Sequence, residues 1–292
     1  MDSPFVPILL VMILIITMAS LFFVQPVVQG EIVETNVTET VASNYYLDVA
    51  SGKVEGHKLV HKFGATTLDS DIHPMTFSTH YRTPLTAVSL EVLSNDADDN
   101  GAGNGARKVV IVGLNSSWDE VSQEVTLTGT TPVVLPIPLT RVYRWYVSES
   151  GTYADETTGS HEGDLTIRQA GGGAVWSIIY NDPFPIGQSL IGAYSVPRGY
   201  DAYLLKKVIF VDSSKSADIY FFKREYINDT TSPYSGTMRL VEREVGITGG
   251  YDLTLASPNF LCSSPCDLGF MGLISSGTAE ASIEFELLLV EQ

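Results

Sequence analysis

The sequence predicts an all-β protein: two consecutive antiparallel β-sandwich (jelly-roll-like) domains, preceded by one N-terminal transmembrane helix. Three observations carry this expectation. Short apolar alternations broken by turn residues recur from Tyr45 to the C-terminus. No amphipathic run of helical length interrupts them. The chain also opens with an uncharged stretch of nearly bilayer length.

That stretch comes first in the chain. Nothing between Asp2 and Glu31 is charged, and the 18 residues from Pro7 to Val24 are nearly all apolar. At a helical rise of about 1.5 Å per residue they reach about 27 Å, close to a bilayer core. A secretory signal opens on a positive region and ends in a small-residue cleavage site. Here the front carries Asp2, and "TMAS" lies inside the apolar run. An uncleaved anchor is the better reading, with Pro7, Leu10, Ile13, Ile16, Phe22 and Val24 in the membrane. The first basic residue is Lys53, so charge bias does not orient the span. The domains therefore read as residues 1–30, an anchor, and 31–44, a Thr/Glu-rich stalk. Residues 45–182 and 187–292 make the two sandwiches, joined at the Pro-rich "NDPFPIGQ".

Within the first sandwich, "TAVSLEVLS", "RKVVIVGL", "SQEVTLTG" and "RVYRWYVSES" alternate as strands, with "NSSWDE" as a hairpin loop. "GDLTIRQAGGGAVWSIIY" reads as a hairpin turning at its three glycines. Within the second, "SLIGAYSVP", "DAYLLKKVIFVD", "ADIYFFKREY", "GTMRLVEREVGI" and "YDLTLA" continue the pattern. The final "ASIEFELLLVEQ" is the clearest, with Ile283, Phe285, Leu287 and Leu289 on one face and Glu284 and Glu286 on the other.

Composition narrows the function. With 17 basic and 34 acidic residues the net charge is −17, which argues against a nucleic-acid partner. The sequence contains no nucleophile elbow, zinc-protease or phosphate-loop signature. Paired acids such as "DSD" at 69–71 and "YADE" at 153–156 read as solvated, so no enzyme and no cofactor are expected. The aromatics Tyr143, Trp145, Tyr146, Tyr220, Phe221 and Phe222 read as strand core rather than a sugar-stacking platform. Cys262 and Cys266 in "CSSPC" are too few for a zinc site, and His57 and His61 lack acidic or thiol partners. The cysteines form either a local disulfide or two free thiols.

The stretch "SNDADDNGAGNGARKVVIVGLN" (94–115) raises three readings. Asp96, Asp98, Asn100 and Gly101 match the first half of an EF-hand loop, but its twelfth position holds Arg107, a cation where calcium needs a bidentate carboxylate. A looser calcium site at Asp96, Asp98 and Asn100 is the weak remaining metal candidate. A phosphate cradle must open a helix, whereas these glycines run into a strand. A strand-to-strand connection, with Gly supplying positive φ and Asp/Asn closing local turns, is the main reading.

Several segments, taken in order, resemble virion structural proteins of environmental, mostly marine, bacterial viruses. They are "GKVEGHKLVHKFG", the stretch from Leu93 through "GTTPV", "LTRVYRWYVSESG" and "LIGAYSVPRGYDAYLLKKVIF". The matching pieces run Gly103 to Arg107, Gly113 to Asn115, Val125 to Thr131, Arg141 to Val147, Tyr194 to Leu204 and Leu287 to Glu291. The resemblance covers nearly all of 45–292 and implies a non-enzymatic, oligomeric β-sandwich component of a virus particle. The membrane segment departs from that pattern. Together they predict a membrane-associated, single-pass virion protein (minor capsid, vertex or spike), with other capsid or vertex proteins, a lipid membrane and copies of itself as partners. The alternative is a receptor- or glycan-binding attachment module on a virion or cell surface.

Overall fold

The computed structural model describes residues 44–77, 81–151 and 159–292. The membrane-anchor residues Pro7, Leu10, Ile13, Ile16, Phe22 and Val24 and the stalk lie outside the described residues. Among those described, no helix is long and apolar enough to cross a membrane. Residues 44–292 form one compact unit.

Among the described residues, one short helix, α1 (Tyr45–Ala50), precedes sixteen strands. They are β1 (His57–Leu68), β2 (His73–Pro74), β3 (Leu90–Ser94), β4 (Ala106–Leu114), β5 (Glu120–Thr126) and β6 (Val133–Val134). Next come β7 (Arg141–Ser150), β8 (Leu165–Gln169), β9 (Val175–Ile179), β10 (Ala193–Val196) and β11 (Tyr200–Val211). β12 (Ala217–Glu225), β13 (Arg239–Ile247), β14 (Gly249–Ser263), β15 (Cys266–Ile274) and β16 (Ala279–Glu291) complete the chain.

Four sheets enclose two cores. One sheet runs β1-β16-β11-β14 and faces another ordered β10-β15-β12-β13, onto which β2 pairs through β15. Omitting β2, the eight strands β1 and β10 to β16, counted in chain order, lie as 1-8-3-6 opposite 2-7-4-5. This is the strand order of a jelly roll. Their inward residues form one core, including Ile283, Phe285 and Leu287 from β16 and Phe221 and Phe270 from the opposite sheet. The rings of Phe221 and Phe270 stack with centroids 4.5 Å apart.

Strands β3 to β9 form the first sandwich, with sheets β6-β3-β8-β9 and β5-β4-β7. Its core holds Val92, Val109, Ile111, Trp145, Ile167 and Trp176. The Trp145 indole N–H donates to Ser177 Oγ at 2.8 Å, so the one polar atom of this buried ring is satisfied.

The two sandwiches are nested rather than consecutive. Residues 57–68, expected in the first domain, pair with β16 over twelve positions from His57↔Val290 to Leu68↔Ala279. The first sandwich is an insertion between the first and second strands of the jelly roll. Alternation shows that a segment is a strand but not which strand it pairs with, and here the partner lies over 200 residues away. The two connections to the insert run side by side: Phe77 N–H donates to Leu190 O at 3.1 Å and Gly192 N–H to Met75 O at 2.8 Å. Gly64 of β1 lies against this neck, where a Cβ would meet Gly192 N and Met75 O at 2.2 Å.

The apolar run at the end of β16 has a second face to cover. Leu288 and Leu205 point away from the core and are buried by Val49 of α1. The Asn44 side chain accepts the Leu47 N–H and caps this helix. This is why "ELLLVE" is apolar on both sides at its end.

Candidate functional site

The most consequential polar cluster sits where the insert meets the jelly roll. Arg141 opens β7 in the insert, and Asp267 lies on β15 of the jelly roll. Both side chains are completely buried, 0% exposed. Arg141 Nε donates to Asp267 Oδ1 at 2.8 Å and Nη2 to Oδ2 at 2.9 Å, a bidentate pair. Arg141 Nη1 donates to the carbonyls of Pro84, at 2.8 Å, and Thr140, at 2.7 Å. The guanidinium lies 5.0 Å from the Trp118 ring centroid. Burial works against the Arg141 charge, and Asp267 more than offsets it, so its pKa stands above the ordinary value.

The carboxylate is met from other sides too. Ser195 Oγ of β10 donates to Asp267, and the Tyr81 hydroxyl is 2.6 Å from Ser195 Oγ. Arg224 of β12 lies 3.8 Å from the carboxylate and donates to Thr83 Oγ1 at 2.6 Å. Burial, then the Asp267 charge, raises the Tyr81 hydroxyl far above its ordinary range, so it stays a hydrogen-bonding phenol. Segments from both sandwiches and the entry loop therefore converge on one buried charge pair. Replacing Asp267 alone strands the Arg141 charge in the core, at a typical cost of about 3–5 kcal/mol, whereas replacing Arg141 leaves Asp267 facing Arg224 and Ser195.

The insert also plugs into the jelly roll sterically. Trp118 stands at φ 65 in the β4–β5 turn and packs in the jelly-roll core beside Leu114 and Tyr143. Its carbonyl accepts the Arg198 N–H at 2.9 Å. Asn115 Oδ1 shapes this turn by accepting the N–H groups of Ser117 and Asp119. An open groove of about 550 Å³ beside the junction is lined by Tyr81, Phe222, Arg224, Met238 and Met271, among others.

The loop at 94–115 is held by a residue outside the predicted trio. Asp99 is fully buried and accepts from Ser94 Oγ, Ala106 N–H, Glu162 N–H and Gly163 N–H at 2.5–2.9 Å. A Cβ at Gly105 would stand 2.1 Å from Asp99 Oδ1, so this position admits only glycine. The calcium candidates serve local turns. Asp96 Oδ1 accepts the Asp98 N–H at 2.8 Å. Asn100 Oδ1 accepts the Ala102 N–H, and its amide donates to Ala97 O. Among the described residues, no group of three or more His, Cys, Asp or Glu is placed to hold a metal.

Cys262 and Cys266 are joined by a disulfide, S–S 2.08 Å, across the β14–β15 turn. His57 Nδ1 meets Glu55 O at 2.8 Å, while His61 pairs with Glu284 at 3.2 Å. Tyr143, Trp145, Phe221 and Phe222 are buried, and Tyr146 and Tyr220 are half-buried. These aromatics are structural.

Sequence reasoning missed Arg141, Asp267, Asp99 and Lys62. A signal existed for Arg141: it shares the face of Tyr143 and Trp145, so a cation stands in the inward phase of an apolar strand. A charge in that phase needs a buried partner.

No protein-family model matches the chain, and no curated protein matches it. Among solved structures, it aligns with that of the Gx strain of infectious bursal disease virus. The alignment has 9% identity over 81% of this chain and 73% of the other, with a TM-score of 0.24. It also aligns with the VP2 subviral particle of infectious bursal disease virus, at 9% identity over 82% and 73%, TM-score 0.24. Scores this low do not establish a shared fold.

Proposed function

We propose that this chain is a non-enzymatic structural component of a virus particle, a minor capsid, vertex or spike protein. In this reading residues 7–24 hold it to a membrane, and it assembles through its β-sandwiches with copies of itself and other virion proteins. The observation that carries the reading is the jelly roll with a second sandwich inserted and clasped to it at Arg141–Asp267. A buried ionic clasp sets one orientation between two modules, which suits a block in a regular assembly. The ordered sequence resemblance to virion proteins supports the same role, as does the apolar N-terminal segment. The fold alone does not assign function, since jelly rolls also serve in lectins and cupins.

The test is fractionation. The protein should sediment with purified particles and leave with the lipid fraction after mild detergent. A soluble, N-terminally cleaved product absent from particles would sink the reading. The open groove beside Tyr81 and Phe222 favours attachment to a receptor or glycan as the second reading. Glycan-array binding abolished by Met238→Ala, a change at an exposed residue of the groove, would support it, and no binding on any array would count against it.

A further inference from the structure

A second polar pocket, independent of the clasp, lies between β1 of the jelly roll and β5 and β7 of the insert. Its volume is about 210 Å³, and its lining includes Lys62, Val112, Glu120, Tyr143, Arg144 and Tyr194. By the share of liquid volume each water takes, this is room for about seven waters, the scale of a small organic acid.

Its polar groups are unevenly satisfied. Lys62 is 6% exposed, and its ammonium donates to the Tyr143 carbonyl, which leaves two of its three N–H groups unspent. Among the described residues, neither Lys62 nor Arg144 forms an ion pair; Arg144 rests over the Tyr146 ring at 5.3 Å. In a chain with twice as many acids as bases, two unpaired cations lining one cavity are conspicuous. The Tyr143 hydroxyl donates to Glu120 at 2.6 Å. Tyr194 packs its ring 4.7 Å from that of Tyr143, and its buried hydroxyl lies near the Tyr143 hydroxyl without a well-formed hydrogen bond. Buried hydroxyls in native proteins almost always have a partner, so one without marks a place where a ligand atom fits.

We propose that this pocket binds a small carboxylate, held by Lys62, Arg144 and the Tyr194 hydroxyl. The donors are many and the acceptors few, since Glu120 already accepts the Tyr143 hydroxyl's hydrogen bond. A carboxylate supplies two acceptor oxygens, and its short apolar body would lie against Val112 and Val60, which also line the cavity. Such a ligand would neutralise the cation pair at the joint between insert and jelly roll. The inference does not rest on the virion reading.

Burial and then Arg144 pull the Lys62 pKa down to about 7, so a bound anion favours protonation and binding should weaken in alkali. The other charged or titratable groups around it are His61 and Glu284, already paired with each other, Glu120, and Tyr143 and Tyr194, whose buried phenols are raised.

Calorimetric titration of the full-length protein with acetate and with succinate tests this. One site is expected at pH 6, weakened at least about tenfold at pH 9, where only about 1% of an amine of pKa 7 stays protonated. Lys62→Met should abolish it. Tyr194→Phe removes a hydroxyl that makes no well-formed hydrogen bond in the fold, and it should weaken binding about tenfold. Lys58→Met, on the same strand, should leave binding unchanged. No binding at pH 6, or binding indifferent to both Lys62→Met and Tyr194→Phe, overturns the proposal.

Discussion

Asp267→Asn tests the junction with the least change of shape. The side chain keeps its volume but loses the charge opposite a guanidinium with 0% exposure. It also turns one acceptor into an NH₂ donor aimed at Arg141 or Ser195, each of which now donates to the carboxylate. The Pro84 and Thr140 carbonyls still accept from Arg141, but no buried anion balances it. The cost should be about 3–5 kcal/mol. For a folded unit of this size that is a fall in Tm of about 6 to 20 °C. Arg141→Met should cost less than Asp267→Asn, because Arg224 and Ser195 still face the Asp267 carboxylate. The double variant Arg141→Met/Asp267→Leu replaces the pair with apolar volume and should recover to within about 2 kcal/mol of the parent. Urea unfolding of the four proteins gives the coupling energy directly. Single variants costing under about 1 kcal/mol each and adding simply in the double would refute the clasp.

Other consequences follow from Lys62, Asp99 and the disulfide. The unfolded chain holds the Lys62 proton up to its ordinary 10.5, while the folded chain gives it up near 7. Stability should therefore rise from pH 7 to about 9 and show no Lys62 contribution to its slope below 7. Above about 10 the unfolded tyrosines ionise while buried Tyr143 and Tyr194 do not, which reverses the slope. Lys62→Met should flatten the rise; an unchanged slope in that variant would contradict the assignment. Asp99→Ala leaves two buried N–H groups and one half-buried one unpaired and should cost about 3 kcal/mol or more, as should Gly105→Ala. Chelator should leave the melt of the parent unchanged, and a chelator-dependent melt would restore calcium to the loop. Cys262→Ala/Cys266→Ala opens a ring of about five residues, worth about 2 kcal/mol by chain entropy, or about 4–8 °C in Tm. A shift under 1 °C would show that the bond is dispensable.

The sequence carried most of the secondary structure, because half-buried antiparallel strands alternate visibly. Ile283, Phe285 and Leu287 were legible for this reason, and all three are fully buried. What alternation cannot carry is pairing. β1 looks like any amphipathic strand, with His57 and His61 drawing attention as metal candidates, and only the register with β16 reveals that the first sandwich is an insertion. β15 was also missed: Cys266 to Phe270 are buried without alternation, since Cys266, Leu268 and Phe270 face the core while Asp267, on the other face, is covered by Arg141 of the insert. The glycine-rich stretch was correctly read as a connection, but its organiser is Asp99, the one acid there that points inward. The clasp was invisible for the same reason as the nesting. Arg141 and Asp267 are 126 positions apart, and neither has an oppositely charged partner nearby in sequence.

The role proposed for this jelly roll, with its inserted sandwich, is that of a membrane-tethered building block of a virus particle. A cryo-electron microscopy map of the intact particle tests it most directly. The expected result is density for both sandwiches at a fixed mutual orientation in the shell, a vertex or a spike, with the N-terminal segment entering a lipid layer. A particle whose density accommodates every structural protein and leaves no place for this fold would contradict it.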